Sequence, residues 1–345
     1  MAAYSSSCCS GRFLLINGVP RTGDGDVPPV ASFLESTSGA YTTTRTHGSA
    51  SCVLFWDRHL TRLTESVRIL AQARPHLLGP GPMPAPNQPP LNISSLAKSV
   101  NHSLKIGFRL AYDERSRYGL NHELAITALV TRKQGADWLF DVFLHIGFYA
   151  PPVFGSSGAC LAVAGPGRDL ALAKYSDWVR IRKGLEKMKP PNATELLLSN
   201  NGDELLEGSV TNFFVICKVA DNSSAPSTSS YRIEVQTAPV RHGVLPGIVR
   251  QLVLEICSDK GIPLREIAPS WSERNLWEEA FITSSLRIVQ HVDSVQASAS
   301  YKDLQLKTWE DVSWILKHFE GPGPITTLIQ KEIMARADRE VCQME

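Results

Sequence analysis

The sequence predicts an α+β or α/β protein with two domains. The N-terminal domain is small, and the larger C-terminal domain contains a mixed sheet. The length of 345 residues corresponds to about two domains at roughly 150 residues each. Apolar stripes with helical spacing alternate along the chain with short apolar runs typical of strands. Two such runs flank Asn201-Gly202, which is the strongest short signal for a β-hairpin.

The small N-terminal domain is expected over residues 1–150. Its clearest helix starts at Asp57, a good N-cap residue, and the apolar positions after it follow helical spacing. The segment 74–92 is rich in proline and predicts a loop, because proline cannot continue a helix or an inner strand. The other predicted elements are strands at 13–17, 41–46, 52–56, 124–131 and 138–149 and helices at 29–35 and 93–110.

A loop at 151–158 is expected to lead into the larger domain over 159–345. The hairpin around Asn201-Gly202 predicts strands at 195–200 and 204–219, and the Ser-rich segment 220–230 predicts a surface turn. Leu245-Pro246-Gly247 opens a helix that Gly261 ends. The other predicted elements are strands at 160–164, 231–237, 279–284 and 287–294 and a helix at 177–188.

Composition excludes several classes of protein. Lys and Arg total 35 against 34 Asp and Glu, and a net charge of +1 argues against a nucleic-acid or membrane-surface partner. No apolar run reaches the roughly 18 residues of a membrane span, and no secretory signal is evident. The nine His and seven Cys have no metal-ligand spacing, so no metal is expected. We expect reduced thiols and a cytoplasmic protein, with organelle targeting by the Ser-rich N-terminus left open.

Five positions are candidates for chemistry. Lys174 lies among small and apolar residues before a helix, where a desolvated amine becomes a nucleophile. Glu207 lies in an otherwise apolar strand, where a carboxylate is costly unless it meets a cation or a strong donor. The helix start at Gly247-Ile248-Val249 offers backbone N–H groups to an anion. The hydroxyls of Thr283-Ser284-Ser285 and the guanidinium of Arg62 complete the set.

Each of these positions also has an ordinary structural interpretation. Lys174 fits a capping or solvated lysine, and Glu207 fits a strand bulge marked by Gly208. Most helix starts bind nothing, hydroxyls at a strand end often make a turn, and Arg62 fits a solvated arginine. None of the five is specific by itself, so the functional inference depends on their order and spacing.

That order and spacing resembles the fold type IV (class IV) family of pyridoxal-phosphate enzymes. The family includes branched-chain aminotransferases, D-amino-acid aminotransferases and aminodeoxychorismate lyase. The likeness extends over most of the chain, through FLLING at 13–18, GAYTTTRT at 39–46, FWDRHLTRL at 55–63, the hairpin at 195–215, LPGIVR at 245–250, EAFITSSLRIVQHV at 279–292 and GPGPITTL at 321–328. It implies a two-domain fold type IV architecture with pyridoxal 5′-phosphate as the cofactor.

The resemblance also implies a role for each candidate. Lys174 would form the internal aldimine with the cofactor and shuttle a proton between the substrate carbon and the cofactor. Glu207 would pair with the protonated pyridine nitrogen and so keep the ring an electron sink. The cofactor phosphate would be held by Arg62, the N–H groups of Ile248 and Val249 and the hydroxyl of Ser285, with Ser284 as a further contributor.

Three departures from the family pattern bear on activity. Val249 stands where the family often has threonine, which removes one hydroxyl from the phosphate site. Val179 stands where branched-chain aminotransferases have a tyrosine near the phenolic oxygen of the cofactor. The Arg-x-His pair that D-amino-acid aminotransferases use to bind the substrate carboxylate is absent after Val130-Thr131-Arg132.

The strand with Thr42, Thr43 and Thr44 is polar, which is closer to the lyase pattern than to an aliphatic pocket. Substrate contacts are predicted from Tyr41, Thr43 and Arg45. The first functional prediction is an aminotransferase that acts between an amino acid or amine and a 2-oxo acid. A lyase of the aminodeoxychorismate type, which releases pyruvate by β-elimination, and a cofactor-binding homologue without turnover are the alternatives. The resemblance further implies a homodimer.

Overall fold

The computed structural model describes residues 11–21, 26–79, 93–133, 140–220, 231–301 and 308–343. The chain divides into two compact units, of which the first comprises Met1–Pro151, Ala173–Val179 and Val341–Glu345 and the second Pro152–Leu172 and Arg180–Glu340. The predicted domains 1–150 and 159–345 stay a prediction, because compactness does not by itself define domains that fold independently. Most of the Pro-rich loop and nearly all of the Ser-rich turn lie outside the described residues.

Strands and helices follow one another along both units. In chain order the strands are β1 (Arg12–Ile16), β2 (Val19–Pro20), β3 (Ala40–His47), β4 (Cys52–Leu54), β5 (Glu123–Arg132), β6 (Phe140–Tyr149), β7 (Ala159–Val163), β8 (Glu195–Ser199), β9 (Leu205–Gly208), β10 (Asn212–Ala220), β11 (Tyr231–Thr237), β12 (Leu264–Glu266), β13 (Trp277–Ser284), β14 (Ile288–Ser298), β15 (Trp314–His318) and β16 (Val341–Gln343). The helices are α1 (Val30–Ser36), α2 (Trp56–Ala73), α3 (Ile93–Arg117), α4 (Asp177–Leu185), α5 (Ile248–Asp259) and α6 (Pro324–Ala337).

The first unit is built on an antiparallel sheet with the strand order β16-β4-β3-β5-β6-β1-β2. Helix α2 packs on β3, and α3 packs on β1 and β6. One core cluster of this unit contains Phe33, Tyr41, Leu129 and Val179. Because side chains alternate along a strand, Tyr41 and Thr43 face one side of β3 and Thr42 the other.

The second unit contains a barrel-like sheet with the strand order β12-β11-β10-β13-β14-β7-β8-β9, in which β15 also pairs with β14. Strand β9 pairs with β10 as well as with β8, so six strands close a ring: β10, β13, β14, β7, β8 and β9. The closing pair joins Glu207 to Asn212. A predicted functional side chain therefore lies where the barrel closes.

An antiparallel sheet in the first unit and a mixed sheet in the second, each with packed helices, confirm the predicted fold class, but two local predictions are wrong. Helix α2 begins at Trp56 after a left-handed Phe55, so Asp57 is inside its first turn and not at the N-cap. In the first turn its negative charge still interacts favourably with the positive end of the helix dipole. The predicted strand 204–219 is broken, because the Val210 N–H donates to the buried Glu195 carboxylate at 2.8 Å instead of joining a strand ladder. The Thr211 hydroxyl donates to the same carboxylate at 2.9 Å.

No helix among the described residues is long and apolar enough to cross a membrane. In the described part of the chain four cysteines are free thiols: Cys52, Cys160, Cys217 and Cys257. Burial raises the pKa of Cys217 to about 12 and that of Cys257 to about 11. These two thiols therefore stay protonated at neutral pH and pack as small apolar groups.

Candidate active site

Lys174 is held on both sides through its backbone. Its carbonyl accepts the Tyr41 N–H at 2.9 Å, and its N–H donates to the Ser66 hydroxyl of α2 at 3.1 Å. The ammonium nitrogen lies 4.7 Å from the centre of the Tyr41 ring, within the range of a cation–π contact. The residue is half-buried, and its two backbone bonds fix the position from which the side chain starts.

Arg62 belongs to a small buried network in the same unit. Its guanidinium donates to the Thr42 hydroxyl at 2.9 Å, and that hydroxyl also contacts Nδ1 of His59 at 2.8 Å. Burial lowers the pKa of His59 well below 6.5, and the charges of Arg62 and Lys174 lower it further. The network therefore contains a neutral histidine next to two cations.

The stability of the protein is expected to fall below pH 6.5 because of His59. The unfolded chain binds a proton at this residue at a higher pH than the folded chain does, so acid favours unfolding between pH 6.5 and the lowered folded-state pKa. For one proton the slope approaches about 1.4 kcal/mol per pH unit. Urea unfolding at several pH values measures it, with His59→Asn as the comparison. An identical pH dependence in that variant would contradict this account, since other groups such as His145 contribute equally to both proteins.

Glu207 is fully buried in the second unit and is surrounded by donors. One carboxylate oxygen lies 2.8 Å from Nε of Arg168, whose side chain is also buried. The other oxygen accepts the Leu245 N–H and the Asn212 side-chain amide, each at 3.1 Å. A cation and two neutral donors offset the cost of burying a charge and favour the ionised carboxylate. Glu207 thus lies inside the sheet and not at an exposed edge, in a stretch where the pairing of β8 with β9 shifts register.

Two glycines permit close packing at buried carboxylates, Gly208 beside Glu195 and Gly247 beside the Asn212 amide that bonds Glu207. A Cβ atom on Gly208 would lie 2.2 Å from the Thr211 hydroxyl oxygen, and one on Gly247 would lie 2.1 Å from Oδ1 of Asn212. Both distances are shorter than real contacts allow, so neither position has room for a side chain. The glycine at the start of α5 therefore leaves space for the amide that bonds Glu207.

Substituting Gly247 tests this packing. Gly247→Ala is expected to displace the Asn212 side chain and lower the free energy of unfolding by about 1–3 kcal/mol. The matched control is Gly184→Ala in α4, where the added methyl meets nothing within 4 Å. That change should stabilise the protein by up to about 1 kcal/mol, because alanine is the better helix former. Urea denaturation measures both, and equal effects would contradict the close contact.

The start of α5 is suited to an anion. Gly247 is the N-cap in an extended conformation, with no side chain bonded to the cap. The first backbone N–H groups of a helix have no acceptor within the helix, so those of Ile248 and Val249 are oriented for an external one. The positive end of the helix dipole favours negative charge at the same place.

The hydroxyls at the end of β13 have different surroundings. Ser284 accepts the Arg287 N–H at 3.2 Å, which closes the turn between β13 and β14. The Thr283 hydroxyl is buried and has no hydrogen-bond partner among the described residues. Thr283 lies opposite Asn212, which lies opposite Glu207, so the three residues form a row across β9, β10 and β13 on one face of the sheet.

The predicted substrate residues each have a different contact partner. Tyr41 contacts Lys174, whereas Thr43 bonds the Thr127 hydroxyl at 2.9 Å. Arg45 is buried, burial lowers its pKa, and it donates to the backbone of Thr46 at 2.9 Å. Their roles stay predictions. A separate cavity of about 490 Å³ in the first unit contains none of the predicted site residues and is lined by Ala50, Ser51, Lys105, Ile106, Phe108, Arg109, Leu110 and Tyr112.

The predicted site residues thus fall into two sets. Lys174, Tyr41 and Arg62 lie in the first unit, and Glu207 and the helix start at Ile248 lie in the second. Sequence reasoning missed three polar residues that contact them, Ser66, Arg168 and Asn212, and also His59, which is linked to Arg62 through Thr42. Only His59 carried a usable signal, since it lies three residues before Arg62 and therefore on the same face of α2.

These features fit a phosphorylated pyridine aldehyde. An amine that is fixed at its base can bind an aldehyde, and a buried carboxylate suits a protonated ring nitrogen. Each unit also has a group that suits a phosphate, an arginine in the first unit and a helix start in the second. The unsatisfied buried Thr283 hydroxyl is a group for which a ligand would supply a partner. No cluster of three or more potential metal ligands occurs in the described segments.

Comparisons with known proteins agree with this chemistry. A family model described as "Amino-transferase class IV" matches residues 39–295. Similar solved structures include the branched-chain aminotransferase of Thermoproteus uzoniensis with norvaline (TM-score 0.62, 17% identity, 96% of this chain and 99% of that chain). A PLP-bound hypothetical aminotransferase from Mycobacterium tuberculosis (0.60, 14%, 95% and 99%) and the branched-chain enzyme of Escherichia coli (0.59, 18%, 97% and 99%) are also similar. A search of the curated proteins finds no match.

Proposed function

Because the chain belongs to the class IV aminotransferase family, whose cofactor is pyridoxal 5′-phosphate, we propose that it transfers an amino group between an amino acid or amine and a 2-oxo acid. The observation that carries this proposal is the buried Glu207 carboxylate with its three donors, Arg168, Asn212 and Leu245. A buried ion pair is costly to maintain, and its presence is explained if the Glu207 carboxylate also stabilises a positive charge on a bound cofactor.

The proposed roles divide between binding and proton movement. Lys174 would hold the cofactor through its amine and would accept and return a proton at the substrate carbon. Glu207 keeps the ring nitrogen protonated. The phosphate is held by Arg62, the N–H groups of Ile248 and Val249 and the hydroxyls of Ser284 and Ser285. When bound, the cofactor supplies an electron sink for the charge that develops at the substrate carbon.

The backbone contacts of Lys174 support its proposed role. A base that takes a proton from carbon must stay within hydrogen-bond reach of it, so its orientation matters as much as its basicity. The bonds from Tyr41 and to Ser66 fix the Cα position of Lys174. The long side chain then has freedom to move between the attached and the released state.

A lyase that releases pyruvate by β-elimination is the second candidate. The observation that favours it is the polar surface of β3. Residue 43 on this strand is a threonine and not an aliphatic residue, and its hydroxyl bonds that of Thr127. Both reactions begin with the same proton removal by Lys174. Afterwards the lyase releases pyruvate, whereas the aminotransferase passes the amino group to a 2-oxo acid. Only the aminotransferase therefore requires an acceptor.

Absorption spectroscopy with a panel of donors tests the proposal. The purified protein should show a visible band from the lysine-bound cofactor, and one L- or D-amino acid or amine should bleach it with release of the corresponding carbonyl product. Pyruvate release from aminodeoxychorismate without any acceptor would instead favour the lyase. A protein that binds the cofactor but is bleached by neither class of substrate would favour the homologue without turnover.

We further propose a homodimer in the cytoplasm. The family resemblance supports the dimer, and the four free thiols support a reducing compartment. Light scattering after size-exclusion chromatography should give twice the chain mass of 37.9 kDa. A mass of one chain for the cofactor-loaded protein would contradict the dimer.

A further inference from the structure

The network of Arg62, Thr42 and His59 has a defined direction of hydrogen bonding. A guanidinium only donates, so Thr42 Oγ1 accepts from Arg62 Nη2. The proton of the Thr42 hydroxyl then needs an acceptor of its own. Nδ1 of His59, at 2.8 Å, is the acceptor available to it among the described residues. Nδ1 is therefore unprotonated, and the ring carries its proton on Nε2.

Burial makes this arrangement persistent. Thr42 and His59 are both buried, with 0% and 1% of their surfaces exposed, so water does not replace either bond. His59 and Arg62 are three residues apart on α2 and face β3 together. The lowered pKa of His59 keeps the ring neutral near physiological pH, so that it remains an acceptor.

We propose that His59, acting through Thr42, is a positioning residue that orients the Arg62 guanidinium toward the phosphate of the cofactor. This inference rests on the proposed role of Arg62. A guanidinium binds phosphate best in a fixed plane, because two of its N–H groups then reach two phosphate oxygens together. One Nη atom tied to Thr42 fixes that plane and reduces the entropy lost on binding.

The proposal predicts selectivity between two aldehydes that differ only in phosphate. Removing the acceptor or the hydroxyl should weaken binding of pyridoxal 5′-phosphate and leave binding of pyridoxal unchanged. A purely structural role would weaken both alike. The ratio of the two dissociation constants therefore separates a phosphate-directed role from a general loss of folding.

The experiment measures both constants on the full-length apoprotein by absorption titration. Thr42→Val and His59→Leu are each expected to raise the Kd for pyridoxal 5′-phosphate about 3- to 10-fold, with the Kd for pyridoxal within about twofold of the wild-type value. Thr42→Ser keeps the hydroxyl and His59→Asn keeps an acceptor, so both should retain most of the selectivity. These conservative variants keep the test informative if the larger changes impair folding.

Arg62→Ala distinguishes failure of the relay from failure of the phosphate assignment. If Arg62→Ala leaves the ratio of constants unchanged, Arg62 is not a phosphate ligand and both proposals about it are overturned. If Arg62→Ala lowers the selectivity but Thr42→Val and His59→Leu do not, only the relay is overturned. Adding Thr42→Val to Arg62→Ala should cause no further loss of selectivity, because the two residues act on the same contact.

Discussion

Lys174→Ala is expected to lower turnover of any productive amino donor by about 10²–10⁴-fold, because the variant lacks the amine that moves the proton. The visible band of the lysine-bound cofactor should disappear at the same time. Steady-state kinetics and absorption spectra of the variant measure the two effects. The backbone contacts of Lys174 do not involve its side chain, so folding should be retained.

The matched control for this experiment is Lys187→Ala. Lys187 is exposed and follows α4, close in sequence to Lys174 but outside every proposed contact. Its replacement should leave both turnover and spectrum unchanged. A Lys174→Ala protein with normal turnover or with the same band would contradict the assignment of Lys174.

Arg168→Met is expected to lower the free energy of unfolding by about 3–5 kcal/mol. The guanidinium is the cationic partner of Glu207, and both side chains are almost completely buried. Methionine fills much of the same volume but leaves a buried carboxylate without its counter-ion. Urea denaturation of the apoprotein measures the loss without interference from cofactor binding.

A second substitution isolates the electrostatic part of that loss. In the double variant Arg168→Met/Glu207→Gln the buried charge is gone, so a large share of the stability should return. Glu207→Gln retains a side-chain oxygen that can accept the Leu245 N–H. A double variant less stable than Arg168→Met would show that Arg168 acts through packing and not through the ion pair.

The sequence was a good guide to the fold and to residues that lie in recognisable motifs. The Asn201-Gly202 turn correctly marked a hairpin, and the glycine before Ile248 correctly marked a helix start. These features are local, because a few neighbouring residues determine the turn or the cap. The break after Gly208 was not predicted, since it depends on Glu195, whose carboxylate reaches Val210 from another strand.

The partners of the site residues were harder to predict because tertiary structure brings them together. Arg168 lies in a glycine- and proline-rich segment with no periodic pattern, and only the folded barrel places it against Glu207. Asn212 bonds Glu207 because barrel closure pairs them. Thr42 and His59 are separated by 17 residues, and the packing of α2 on β3 joins them.

Trapping of the cofactor by borohydride tests the central claim most directly. Reduction converts a lysine-bound cofactor into a stable secondary amine, which survives proteolysis and is located by mass spectrometry of the peptides. We expect one phosphopyridoxyl group per chain, on the peptide that contains Lys174. A modified peptide from another lysine, or none in protein saturated with pyridoxal 5′-phosphate, would contradict it.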